Sequence, residues 1–414
     1  MKKIIPILTD PINEGSERTV RQSTSPLIGS DVPRLTALPP LTLYVHVPWC
    51  VRKCPYCDFN SHQSPEVLPE EQYLKALEAD LDQVLPDIWG RQVHAIFIGG
   101  GTPSLLSESA MDRMLSLFRS RLSIWPDAEV TLEANPGTAE SGKFLSFAQS
   151  GINRFSLGIQ SFNDQALQRL GRIHDVSQAR QAIEMAQRSV DRVNIDLMFA
   201  LPGQTIEECI DDAKMALSFG TEHLSMYQLT IEPQTVFAKY PPELPDDDVS
   251  AEMESMIESL ANSAGLDRYE VSAYSRKGAQ SRHNLNYWQF GDYVGIGPGA
   301  HAKISFPDRI MRQARVRNPE SWMMSALKHD GSHISETRNL NATDLPFEFM
   351  LNVLRLRAGV SSKLYTERCG LDVTTLSAAL TKATDKGLLS SDPTRFQATP
   401  QGWRFLNELQ GLFL

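Results

Sequence analysis

Cys50, Cys54 and Cys57 stand in a C-x3-C-x2-C triplet within HVPWCVRKCPYCDF, directly after the β-patterned run LTLYVHVPW. Thiolate is the preferred protein donor for cluster iron, and three thiolates on one short loop fit a [4Fe–4S] cluster. One iron would then lack a protein ligand and stay open to a small chelating molecule. Two plainer readings compete. A structural zinc site would need a fourth ligand, such as His46 or His62. Thioredoxin-like redox chemistry would need only Cys54 and Cys57. A framework of secreted disulfides is disfavoured, because the five cysteines are odd in number and no secretion signal precedes them.

Other residues capable of chemistry recur at strand ends. FIGGGTPS (97–104) places three glycines and Thr-Pro where backbone can approach a ligand and turn N–H groups can meet a carboxylate or phosphate. Alone it reads equally well as a tight βα turn. LEANPG carries Glu133, GIQSF carries Gln160, and GRIH carries Arg172 and His174. NIDLMFALPGQT sets Asp196 inside an apolar strand. A buried carboxylate needs partners, and ribose hydroxyls or a guanidinium such as Arg172 would serve. Each of these, taken singly, is equally a structural ion pair. In RHNLNYWQFGDYVGIGPGAH (282–301), His283 stands among Tyr287, Trp288, Phe290 and Tyr293, with His301 beyond a glycine-rich turn. Such a wall could hold a planar macrocycle and ligate its iron; an aromatic mini-core with a satisfied histidine is the plainer alternative.

These residues need a scaffold that brings strand ends together. Apolar stripes predict helices over 70–85, 107–121, 140–150, up to 189, 206–219 and 250–264. Short, mostly apolar runs between them predict strands covered on both faces, the last being RYEVSAYS. Six or seven β/α units result. Because the chemical residues sit at strand C-termini, a partial (β/α) barrel of TIM type explains them better than a flat doubly wound sheet. The barrel is placed at 41–275, with an extension over 276–344 that carries HNLNYW.

A second unit over 345–414 has helix-helix-strand-helix order and resembles a winged helix, with PFEFMLNVLRLR, TTLSAALTKATDKGLL and 401–413 as its helices. Its eight basic and six acidic side chains supply no cationic face, so DNA reading is disfavoured. A net charge of −10 over 414 residues likewise argues against a general nucleic-acid binder. No run of about 18 apolar residues could span a bilayer. Residues 1–40 mix Ser, Thr, Pro and Gly without periodicity and read as a disordered extension. Asp10, Glu14, Glu17 and Asp31 count against a transit peptide, and a cytoplasmic location follows as an expectation.

Taken together, LYVHVPWCVRKCPYC, IFIGGGTPS, EANPG, GIQSF, GRIH, DLMFALPGQ and HNLNYW resemble the radical-SAM, coproporphyrinogen-oxidase-like family across roughly 41–414. The resemblance implies a [4Fe–4S] cluster on Cys50, Cys54 and Cys57. It also implies an S-adenosylmethionine (SAM) site lined by Tyr44, Tyr56, Gly100, Gly101, Thr102, Glu133, Gln160, Arg172 and Asp196. The decarboxylating enzymes of the family carry a further cysteine two residues after the third, where this chain has Phe59. HNLNYW is instead similar to the HNxxYW signature of the haem-chaperone branch, which implies a haem-binding role for His283, with His301 as the alternative ligand. Haem or a porphyrinogen, acceptor haemoproteins including membrane-bound respiratory enzymes, and an electron donor for the cluster are the partners this implies. A homodimer is left open. The other activity within the family is oxygen-independent coproporphyrinogen III oxidation to protoporphyrinogen IX.

Overall fold

The computed structural model describes residues 33–137 and 141–414. Six strands run parallel and pair in chain order: β1 (Leu41–Val47), β2 (Gln92–Gly100), β3 (Ser123–Ala134), β4 (Arg154–Gln160), β5 (Arg192–Phe199) and β6 (His223–Gln228). Helices return the chain between them: α1 (Glu70–Val84), α2 (Glu108–Arg121), α3 (Phe144–Ser150), α4 (Asp164–Arg169), α5 (Val176–Ser189) and α6 (Ile206–Ser218), with α7 (Asp247–Ser263) after β6. The stripe Tyr73, Leu74, Leu77, Leu81 and Val84 buries one face of α1, as its periodicity requires. Asp175 with Gln178, and Thr205 with Glu208, close capping boxes that fix where α5 and α6 begin.

The expected strand RYEVSAYS does not continue the parallel series. It breaks into β7 (Asp267–Arg268) and β8 (Ala273–Ser275), and β8 pairs antiparallel to β6. Its connection from β7 is too short for the crossover that a parallel neighbour needs. On the other side, β9 (Asp292–Ile296) pairs parallel to β1, and β10 (His301–Ser305), β11 (Ile310–Arg315) and β12 (Ile334–Asn339) extend the sheet antiparallel. The order is therefore β12-β11-β10-β9-β1-β2-β3-β4-β5-β6-β8-β7. No pairing joins β7 to β12 among the described residues. The parallel strands form an open, partial barrel wall whose inward side chains share one cavity.

Helix α8 (Arg282–Trp288) and helix α9 (Pro319–Ala326) flank this extension. A second apolar core gathers Phe290, Phe349, Met350, Tyr365, Leu376, Leu388 and Phe396. It is built on α10 (Leu345–Val353), α11 (Lys363–Cys369) and α12 (Ser377–Asp385), with a short ribbon pairing Val360–Ser361 to Arg395–Phe396. Helix α11 has no counterpart in the sequence reading. The expected terminal helix over 401–413 divides into Pro400–Arg404 and Leu406–Gly411.

Residues 1–32 of the expected disordered extension lie outside the described residues. Residues 33–40 are placed, and they pack. Leu35 is buried in the second core, its N–H donates to Pro307 O at 2.9 Å, and Arg34 N–H donates to Gly370 O at 3.1 Å. Composition alone missed this because one buried leucine and a few backbone bonds leave no periodic signal. No helix among the described residues is long and apolar enough to cross a membrane.

Candidate functional site

The loop that leaves β1 carries the three cysteines across the open end of the barrel wall. Trp49–Cys50 pairs with His62–Gln63, and Lys53 Nζ donates to Phe59 O and Ser61 O at 3.2 and 3.3 Å, tying the loop to itself. The glycine turn after β2 holds its root. Gly101 N–H donates to Val47 O and Thr102 N–H to Trp49 O, both at 2.7 Å. Gly100 N–H donates to Glu133 Oε2 at 3.0 Å. All three amides are thus engaged within the protein, which corrects the expectation that they await an anionic ligand. The glycines answer to close packing instead. A Cβ at Gly101 would lie 2.6 Å from Trp49 O, and Gly100 has φ +111° with the His46 ring 2.5 Å from where its Cβ would be.

Below the loop lies a cavity of about 380 Å³. Cys50, Cys54, Tyr56, Cys57, Gly100, Gly101, Thr102, Glu133, Gln160, Arg172 and Asp196 all line it. Eleven of the expected site residues therefore meet in one place. Tyr44 and His283 do not line it. Tyr44 donates its hydroxyl to His46 Nδ1 at 3.0 Å, and burial pushes its phenol above the usual range. His283 stacks on Phe97, a cavity residue, at a centroid distance of 5.0 Å, and on Tyr44 at 6.2 Å. It is 8% exposed, its Nδ1 has no hydrogen-bond partner, and burial, countered only in part by Glu129, pushes its pKa down to about 4. Phe290 and Trp288 pack toward the second core. The imidazole and its neighbouring aromatics consequently face different surroundings and do not form one wall. His301 is exposed on β10.

The thiols of Cys50, Cys54 and Cys57 are free, partly exposed and turned to the shared cavity. Arg172 Nη1–H points at Cys54 Sγ across 3.6 Å, while its Nη2 donates to Asn135 Oδ1 (2.5 Å) and Gly158 O (2.8 Å). Arg172 thus serves the cysteine loop, not Asp196 as the sequence suggested. His46 cannot complete a zinc site, because its Nε2–H donates to Asn60 O at 2.9 Å while Nδ1 takes the Tyr44 hydroxyl. His62 Nε2 lies 3.3 Å from Asn60 Oδ1. Three soft donors beside a guanidinium, with no fourth protein ligand among the described residues, fit a cluster that keeps one iron open.

The cavity floor carries two buried carboxyl groups, Glu133 and Asp196. Burial, reinforced by Asp196, pushes the Glu133 carboxyl up to about 7, although the Gly100 N–H favours its charged form. A carboxyl raised in the folded state stabilises the fold below its unfolded value of 4.5, and that contribution disappears as pH rises through about 7. Cluster-free Glu133→Gln protein is accordingly expected to exceed wild type in unfolding free energy by about 3 kcal/mol above pH 7 and to match it near pH 4.5. Urea titrations across that range measure the difference, and a constant gap at all pH values would contradict it. Gln160 occupies φ +71°, a left-handed position costing a non-glycine residue about 1–2 kcal/mol, at the point where β4 ends on the cavity wall.

Sequence reasoning missed Asn135, which donates from Nδ2 to Thr102 Oγ1 at 2.8 Å and joins the glycine turn to Arg172. It also missed Ser156, Asn194, Ser225 and Tyr227 on the cavity wall. A signal existed. Ser156, Gly158 and Gln160 alternate along β4, and Asn194 and Asp196 along β5, which marks one polar face in strands otherwise apolar.

The wall of parallel strands, with three cysteines over a strand-end cavity, defines a radical SAM protein. Residues 44–216 match the family model described as the Radical SAM superfamily, and residues 340–405 match that of the HemN C-terminal domain. A Radical SAM domain implies a [4Fe–4S] cluster and SAM. The chain is 45% identical over 382 residues to "Heme chaperone HemW" of Escherichia coli, covering 92% of this chain and all of the relative. It is 44% identical to the protein of that name from Haemophilus influenzae, over 91% of this chain and 98% of the relative. The chain belongs to the HemW family. Its fold is shared with coproporphyrinogen III oxidase (HemN) of E. coli, a structure described as a radical SAM enzyme, with a TM-score of 0.77 and 21% identity over 91% of this chain and 90% of that one.

Proposed function

We propose that this chain binds haem and passes it to acceptor haemoproteins, and that Cys50, Cys54 and Cys57 hold a [4Fe–4S] cluster beside a SAM site. The observation that carries the reading is end-to-end similarity to proteins named as haem chaperones, at 45% identity over the full length of one of them. Phe59, 61% exposed beside the cavity, stands where the decarboxylating branch places its extra cysteine. When bound, the cluster and SAM would supply one-electron chemistry. The chain's own residues orient and enclose. Cys50, Cys54 and Cys57 are the iron donors, Arg172 balances thiolate charge at Cys54, and Glu133, Gln160 and Asp196 offer polar contacts to SAM.

His283 is the haem ligand in this reading. A depressed pKa keeps its imidazole neutral at physiological pH, the form that binds iron. Because Phe97 covers the ring on the cavity side, ligation there requires Phe97 to turn aside. Haem titration of wild type, His283→Ala and His301→Ala, followed by absorbance, tests the assignment. His283→Ala is expected to weaken haem binding about tenfold or more while leaving the cluster spectrum intact, and His301→Ala to behave as wild type. Wild type that takes up no haem and instead releases CO₂ from coproporphyrinogen III with SAM and a reductant would overturn the chaperone reading.

A further inference from the structure

Asn194, on β5 two residues before Asp196, uses its whole side-chain amide. Its Nδ2 donates to Asp196 Oδ1 and to Ser156 Oγ, each at 2.8 Å. Its Oδ1 accepts from His223 Nδ1 at 2.6 Å and from Ser225 Oγ at 3.1 Å. Ser156 Oγ in turn donates to Asp196 Oδ2 at 2.8 Å, so both carboxylate oxygens are held from beneath. With Nδ2 on the carboxylate and Oδ1 on the imidazole, the amide gives hydrogen bonds to Asp196 and takes them from His223, the arrangement that suits an ionised Asp196, which can only accept. His223 therefore carries its proton on Nδ1 and accepts from Tyr269 Oη at Nε2, 2.9 Å away. Burial keeps this imidazole neutral, which such a chain requires.

We propose that Asn194 is a positioning residue for SAM. It transmits the polarity of the Tyr269–His223 pair to Asp196, keeping that carboxylate ionised and turned to the cavity as an acceptor for ligand hydroxyls. The inference rests on the reading that this cavity holds SAM. Burial pushes the Asp196 carboxyl up, and the Ser156, Asn194 and Ser225 donors together with the Arg154 charge oppose that. Without the Asn194 donor, a buried acceptor would tend to protonate and lose its capacity for hydroxyl donors. The titratable and charged groups facing Asp196 are Glu133 on β3, Arg154 on β4 and Tyr227 on β6. Of these, Glu133 titrates near neutrality. The informative quantity is therefore the ratio of variant to wild-type affinity at each pH.

The test is equilibrium dialysis of SAM against anaerobically reconstituted wild type, Asn194→Asp and Tyr269→Phe from pH 6 to 8.5. In Asn194→Asp a second carboxyl shares the site, and one proton between the two restores a donor to Asp196. Its SAM affinity is expected to fall about tenfold below wild type at pH 8 and to recover toward pH 6. Tyr269→Phe changes a side chain outside the cavity lining and is expected to weaken SAM about threefold. Should Asn194→Asp fail to fold, Tyr269→Phe decides alone: affinity equal to wild type overturns the proposal. So does an Asn194→Asp deficit that is absent or constant with pH. If wild type itself binds no SAM, the underlying cavity reading fails with it, whereas SAM-binding wild type with unaltered variants removes only the role of Asn194.

Discussion

Cys54→Ser protein, reconstituted anaerobically with iron and sulfide, is expected to lose its brown chromophore, whereas Cys209→Ser and Cys369→Ser keep it. Serine is a hard and far less acidic donor, poorly matched to cluster iron. Cys54 lines the cavity and faces the Arg172 guanidinium. Cys209 lies buried on α6 and Cys369 buried on α11, each in an apolar core that raises its thiol pKa, to about 12 for Cys209. Buried neutral thiols are inert toward metal. Iron and acid-labile sulfide analysis of the three variants measures the contrast. Full iron and sulfide content in Cys54→Ser would contradict it.

Asp80→Ala is expected to cost about 3–5 kcal/mol of unfolding free energy. Asp80 lies on the inner face of α1 and is fully buried, as are Arg315 and His333. Its Oδ1 meets Arg315 Nε and His333 Nε2 at 3.1 Å each, and its Oδ2 accepts from Gly297 N–H (3.1 Å) and Trp322 Nε1 (3.2 Å). Burial alone would push this carboxyl up; Arg315 and His333 overcome that and hold it below the usual range. Truncation leaves a buried guanidinium without its counter-ion, and that penalty dominates the loss of packing. The site is also structural support for the cysteine loop. Gly297 follows β9, which pairs with β1 one strand before the loop begins, and a Cβ there would meet His46 O at 2.5 Å. Urea unfolding followed by circular dichroism measures the cost. A loss below about 1 kcal/mol would show that Arg315 finds another partner.

Why some of this was legible in the sequence, and some was not, follows from how each signal is carried. The cysteine triplet and the acids at strand ends could be read because thiolates in a short loop and a carboxylate in an apolar run are costly without a purpose. Strands β1 to β6 could be read because each is a short apolar run between helical stripes. Asn135, Ser156 and Asn194 were invisible one at a time, since small polar residues occur on any surface and only the barrel turns them inward. Phe290 and Trp288 misled for the opposite reason. Their type suggested a ligand wall, but the partners that claim them, such as Phe349 for Phe290, come from a helix 60 residues downstream. The Arg172–Asp196 pairing failed because Asn135 and the Gly158 carbonyl hold the guanidinium at the cysteine loop. Helix α11 escaped notice because its seven residues bury only Tyr365 and Cys369, with Leu364 half-buried beside them, too few for a periodic stripe.

Three thiolates from the protein would leave one iron of the cluster free for SAM. Electron paramagnetic resonance of the reduced, reconstituted protein, recorded with and without saturating SAM, addresses this most directly. A reduced [4Fe–4S] signal whose g-values shift when SAM is added is the expected result. A cluster signal indifferent to SAM, or reconstituted protein that holds zinc and no sulfide, would contradict it.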